Sequence, residues 1–393
     1  MVPSGDDPAQ NTKTHLPTLV FWGTYDKGKP RNRILLDGLR ACGVEVTECH
    51  VDLWRGVEDK SQLKGLARRL SILLRWLVAY PVLIVRYLRL PAHDVVVIGY
   101  MGQLDVLVLW PWARLRGVPV IWDVLMSLYV ATVEDRGLLS SDRVAARGLY
   151  AWEWLAFRAA DRLIMSNLYS ANYLRKRFRL KQDAVAHVLI GAETDHFPRR
   201  PTRSEEYPPN EPVRVLFYGT FIPSHGVGTI IDAARRLQEH PVHWTLIGNG
   251  QEAEAIDATL SENPMSNLTR IDWVPYADLV RQIHLSDICL GIFGAGERAS
   301  HALANKIFQI LASGTPLVTR DSPAIRQVVD PSMPGIYLIP PADPAALANA
   351  VLAFARERDS LSRQQLHLQV RERIAPRAVA EAFLVEVEQV RAR

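Results

Sequence analysis

Residues 213–239 read VRVLFYGTFIPSHGVGTIIDAARRLQE: a β-branched and aromatic run closing on Gly219, a turn containing Gly226 and Gly228, then apolar residues at helical spacing. Strand, glycine turn and helix in that order form half of a βαβ unit. The same rhythm continues downstream, with strand runs at HWTLIG (243–248), NLTRIDWV (267–274), DICLGIF (287–293), TPLVTR (315–320) and GIYLIP (335–340). It is also present upstream, at TLVFWG (18–23), VEVTECHV (44–51), DVVVIGY (94–100), VPVIWDVL (118–125), RLIMSN (162–167) and AVAHVLIG (184–191). Most of these runs are separated by helix-like stretches, so the chain needs crossover connections. The fold class is therefore α/β, with parallel sheets covered by helices on both faces.

Between the two series lies HFPRRPTRSEEYPPNEP (196–212), with five prolines and six charged residues in seventeen positions, which predicts a linker. The expected organisation is a polar, disordered lead-in (1–15), a first domain (16–195), the linker (196–212), a second domain (213–375) and a terminal amphipathic helix (376–393) lying back across the first domain. Two similar halves on a linker enclose a cleft. A chain of 393 residues with 48% hydrophobic and 22% charged residues has ample material for such cores. Its balance of 46 Lys+Arg against 42 Asp+Glu does not call for nucleic acid. Cys42, Cys49 and Cys289 have no CxxC spacing, which speaks against a disulfide framework or a zinc site and suits a reducing cytoplasm.

Residues 61–93 contain no acidic residue, while Lys64, Arg68, Arg69, Arg75, Arg86 and Arg89 alternate with aliphatic residues, Trp76, Tyr80 and Tyr87. This stretch reads two ways: as a basic amphipathic surface, over 64–89, for anionic lipid, or as helices packed on the sheet with arginines at their edges. It is not a span, because arginines and Pro81 interrupt each apolar run.

In the second half, Gly219, Thr220, Phe221 and Gly226 form a turn whose backbone can approach an anion such as a diphosphate. A glycine-rich turn can also serve packing alone. Gly248, Asn249 and Gly250 end the next strand, and Trp273 and Val274 the one after. Carboxyl ends of parallel strands line a common crevice.

The run GAGERASHALANKIFQILASGTPLVTR (294–320) resembles the donor-site signature of GT-B glycosyltransferases, specifically glycosyltransferase family 4. GAETDHF (191–197) and the turn from Gly219 to Gly226 are similar to further motifs of that family, and the likeness covers nearly all of 190–330. The resemblance implies two Rossmann-like domains facing across a cleft. It also implies retaining transfer of a hexose-type sugar from a UDP- or GDP-linked donor to a hydroxyl acceptor, a glycan, lipid-linked sugar or small molecule, without a tightly bound cofactor or metal.

Thr220 and His225 stand where the family carries an Arg and a Lys. Lys306 is the candidate replacement cation near the departing diphosphate, assisted by His225 if protonated, in a run that also holds Asn305, Ile307 and Gln309. In one register His301 faces the sugar and Gln309 the ribose; in the other Glu297 and Asn305 take those places. An ordinary solvated position remains open for each. In the first domain, Asp123 at a strand end is the candidate base for the acceptor hydroxyl. Glu134, Asp135 and Arg136 lie in a distinctive run, SLYVATVEDR (127–136), where a helix cap or ion pair explains the last two equally well. A sugar-nucleotide epimerase or hydrolase, or a weakened nucleotide-sugar-binding subunit, are the competing readings.

Overall fold

The computed structural model describes residues 16–53, 66–208 and 211–393. The lead-in 1–15 and Lys64 lie outside them, as do the side chains of Arg68 and Arg69. The first sheet consists of β1 (Thr18–Gly23), β2 (Glu45–His50), β3 (Val95–Ile98), β4 (Val120–Leu125), β5 (Arg162–Met165) and β6 (Val185–His187), in the order β2-β1-β3-β4-β5-β6. The second consists of β7 (Val213–Tyr218), β8 (Val242–Ile247), β9 (Leu268–Ile271), β10 (Ile288–Leu290), β11 (Leu317–Arg320) and β12 (Ile336–Ile339), in the order β12-β11-β10-β7-β8-β9. Every pairing among the described strands is parallel. Each of these strands falls inside one of the apolar runs quoted above except β8, which begins one residue earlier, at Val242. The inner strands are almost continuously buried, as expected of sheets covered on both faces, while the edge strands β2 and β9 are only partly so.

In both sheets the strand order reverses beside the opening strand, β1 or β7. Crevices open at such reversals, beyond the carboxyl ends of the strands. Residues 196–208 and 211–212 contain no helix or strand. The last helix, Pro376–Arg391, inserts Val379, Ala380, Phe383, Val387 and Val390 among Ile34, Leu35 and Leu39 of the first domain. Gly38 permits the close crossing: a Cβ there would come within 2.0 Å of the Pro376 carbonyl.

Asp123 is corrected by the fold. It is fully buried at the end of β4, where its Oδ2 and Oδ1 accept from Arg31 Nε and Nη2 at 2.7 and 2.9 Å. Arg31 Nη1 also donates to the Leu189 carbonyl at 2.5 Å. A carboxylate held in a bidentate buried pair does not face an acceptor hydroxyl; it ties the helix Pro30–Ala41 to β4. Removing one partner strands the other charge in the interior. Asp123→Asn is therefore expected to cost about 3–5 kcal/mol of unfolding free energy, measured by urea denaturation. A variant as stable as the wild type contradicts this structural role.

Candidate active site

Between the two domains lies a cavity of about 490 Å³. The second domain contributes Gly219, Thr220, Ser224, His225, His301, Asn305, Lys306 and Gln309 to its walls, and the first contributes Lys29, Leu125, Ser127, Asp135, Arg136, Ser166 and Ser170, among others. Among the described residues its lining carries three formal cations, Lys29, Arg136 and Lys306, against one carboxylate, Asp135. Such an excess favours an anionic ligand.

The turn after β7 sets the approach. Gly219 has φ +139°, and a Cβ on it would stand 2.8 Å from Lys306 Nζ. Gly248, at φ +148°, lets the end of β8 press on that turn, since a Cβ there would lie 1.9 Å from the Gly219 carbonyl oxygen. The turn and the amine are thus in direct contact.

Lys306 sits in the first turn of the helix Asn305–Ala312, which has no capping side chain and no acidic residue at its start. Unpaired N–H groups and the helix dipole both favour an anion at this end. The amine itself is buried without a hydrogen-bond partner among the described residues, 3.6 Å from the centroid of the Phe217 ring. Desolvation pushes its pKa well below the ordinary lysine range. His225 donates from Nδ1 to the Thr220 carbonyl. Burial, the Lys306 charge and the Arg136 charge together hold its pKa well below the ordinary histidine value. The protonated His225 raised as an assistant cation is thus disfavoured while the cavity holds no anion.

Gln309 is held by the protein. Its Oε1 accepts from Tyr218 OH at 3.1 Å and its Nε2 donates to Tyr276 OH at 3.2 Å. Tyr276 OH donates to Glu193 at 2.5 Å, and Glu193 pairs with Arg33 of the first domain at 2.6 Å. His301 accepts through its carbonyl from Asn167 Nδ2 and Ser170 Oγ, both at 2.9 Å.

Of the residues singled out in the sequence, Lys306, His225, His301, Gly219, Thr220, Asn305 and Gln309 meet on this cavity. Asp135 and Arg136 line it as well, and the other donor-site candidates do not. Phe221 and Ile307 are core residues, Trp273 is exposed, and Val274 packs against the second-domain core. Gly226, Gly248 and Gly250 shape the loops through close backbone contacts. Asn249 accepts from the Phe221 N–H at 2.9 Å, and Glu297 opens the short helix Glu297–His301. Arg136 and Lys29 were not chosen as ligand contacts. Their one sequence signal was positive charge beside a loop end.

Residues 212–357 match the family model described as glycosyl transferases group 1. A Bacillus subtilis protein named as a glycosyltransferase, YtcC, is 25% identical over 194 residues, 45% of this chain and 47% of that one, so the match spans about half of that relative's length. Among solved structures, sucrose-phosphate synthase from Thermosynechococcus elongatus superposes with a TM-score of 0.68 at 17% identity, covering 96% of this chain and 100% of the other. Anabaena HepE in complex with UDP-glucose gives 0.64 at 11%, covering 95% and 100%. The fold is GT-B: two parallel α/β domains facing across a cleft.

The buried amine has a measurable consequence. Because folding lowers the pKa of Lys306, the unfolded chain binds the extra proton between that depressed value and the ordinary 10.5. Ligand-free stability therefore gains a rising component with pH across this window. Lys306→Met should remove that component in urea denaturation measured against pH. An unchanged slope would place the amine in solvent.

Proposed function

We propose that this protein is a nucleotide-sugar-dependent glycosyltransferase that moves a hexose-type sugar, with retention, from a UDP- or GDP-linked donor to an acceptor hydroxyl. The observation that carries the reading is the unpartnered Lys306 amine set against the Gly219 turn at an uncapped helix start. Departure of the nucleoside diphosphate leaves charge on its phosphates, and preorganised cations and N–H donors are what stabilise it. A phosphate beside Lys306 also restores the proton that burial discourages, because an opposite charge favours the charged form. The acceptor then enters from the first-domain wall, past Lys29, Tyr100 and Met126. The match of residues 212–357 to the group 1 model supports donor binding by the second domain, and the HepE complex with UDP-glucose supports a donor of that class.

The reading includes work at an anionic membrane surface. On the helix Leu66–Leu88, Ala79, Leu83 and Tyr87 are buried, while Leu77, Val78, Val82 and Val85 face outward beside Arg75 and Arg86. The neighbouring helices Gln103–Leu115 and Val144–Ala159 expose Trp110, Leu115, Trp154 and Leu155 with Arg114, Arg147 and Arg158. No Asp or Glu is exposed on these three helices among the described side chains. Aliphatic residues, tryptophans and arginines without acids match an anionic lipid interface. No helix among the described residues is long and apolar enough to cross a membrane.

Melting-temperature shifts across a panel of nucleotide sugars identify the donor, since a ligand of the folded state raises it. Turnover should require an acceptor. Sugar hydrolysed or isomerised without one favours the epimerase or hydrolase reading, and binding without turnover favours the weakened subunit. Lys306→Ala should lower turnover by about two to three orders of magnitude, on the scale of losing one preorganised donor to a developing anion, with the fold retained by circular dichroism. Wild-type rates in that variant refute the assignment. In flotation assays, binding to vesicles containing phosphatidylglycerol should exceed binding to pure phosphatidylcholine and fall in Arg75→Glu/Arg86→Glu. Equal binding to both removes the membrane reading.

A further inference from the structure

The turn after β7 carries Thr220 and His225 but no Lys or Arg, and Lys306 is the one Lys or Arg that the second domain brings to the cavity wall among the described residues. A diphosphate leaving group carries more charge than one amine balances. The other side of the cleft carries Arg136, whose position is built by an extended chain of contacts.

Glu153 is fully buried and accepts four hydrogen bonds: from Ser127 Oγ at 2.5 Å, Leu128 N at 2.7 Å, Tyr129 N at 2.9 Å and Gln103 Nε2 at 3.2 Å. These bonds fix the entry to a π-helical segment, Val130–Asp135. Such segments are rare and concentrate at functional sites. Arg136 follows as its C-cap residue. Its carbonyl accepts from Gln251 Nε2 of the second domain at 3.1 Å, and Ser224 Oγ reaches Asp135 at 3.5 Å. Backbone and neighbour are thus braced against the loops after β8 and β7. The Arg136 side chain lines the cavity, its Nε is buried without a hydrogen-bond partner, and no carboxylate pairs with its guanidinium among the described residues.

We propose that Arg136 crosses the cleft to bind the donor diphosphate, sharing the phosphates with Lys306 and supplying the charge that the β7 turn does not. The proposal rests on the donor reading above. A guanidinium presents paired N–H donors that match phosphate oxygens and keeps its charge at all working pH values. An arginine with a buried, unsatisfied Nε is costly unless an anion completes it. A helix cap or a structural ion pair does not account for this side chain, because the brace to Gln251 uses the backbone carbonyl. The diphosphate therefore contacts both domains, with one cation from each.

Calorimetric titration of UDP, UMP, GDP and GMP into wild type, Arg136→Ala, Arg136→Lys and Lys306→Ala tests this. Arg136→Ala should weaken the preferred diphosphate at least tenfold and its monophosphate several-fold less. Arg136→Lys should recover part of the loss, and the ligand-free melting temperature should stay near wild type. The kcat of Arg136→Ala should fall further than its KM rises, since charge grows as the leaving group departs. Arg136→Ala with wild-type diphosphate affinity and turnover overturns the proposal. So does an equal loss for monophosphate and diphosphate, which marks a positional effect. Wild-type protein that binds none of the four nucleotides instead overturns the donor reading itself.

Discussion

Lys306 carries an amine into a site where Phe217 covers one side and the Gly219 turn another, and no atom among the described residues accepts its hydrogen bonds. Taking an ammonium group out of water costs several kcal/mol even after relaxation, so this position persists because its surroundings leave no alternative. Ile307, Phe308, Ile310 and Leu311 bury the rest of the helix in the second-domain core. Tyr218 fixes it further, its hydroxyl bonding to the Lys306 carbonyl at 3.2 Å and to Gln309 at 3.1 Å. The helix cannot rotate to release the amine without dismantling that packing. An anion in the cavity relieves the unfavourable burial, and relief on binding converts stored desolvation cost into affinity.

The same logic explains the glycines. Gly219 must leave room for Nζ, and Gly248 must leave room for the Gly219 carbonyl. Each adopts a positive φ that an L side chain rarely takes. Two strand ends and one helix start therefore converge more closely than side-chain packing permits. Such convergence is useful where backbone and charge meet a small, dense ligand.

What could be read from the sequence was whatever local patterning specifies. The strand runs, the glycine turn and the helix holding Lys306 depend on spacing and on residue types adjacent in the chain. Partners far apart in sequence were not legible. Asp123 had the chemistry of a base and stood at a strand end, but Arg31, ninety-two residues earlier, claims both its oxygens. Gln309 could have met a ligand alone, yet Tyr276 and Tyr218 occupy its amide. Arg136 followed a run whose acids made a local ion pair plausible. Tyr173 and Arg177 bond to Glu134 instead, and Arg136 borders the cleft. Charge pairing across a fold is a property of three-dimensional arrangement, and spacing alone does not encode it.

Contacts between the domains are of two kinds, and the difference bears on how the cleft works. The final helix joins the first domain through an apolar seam of Val379, Phe383 and Val387, whose exposure to water is costly. At the cleft rim many of the contacts are polar: the His301 carbonyl with Asn167 and Ser170, the Arg136 carbonyl with Gln251, and Glu193 with Tyr276. Polar contacts at a wet rim exchange with water at a net cost of about 1 kcal/mol each. Parting the walls at these polar contacts therefore costs less than undoing the apolar seam. A ligand that touches both walls adds contacts across the rim and so favours the arrangement in which the walls face each other.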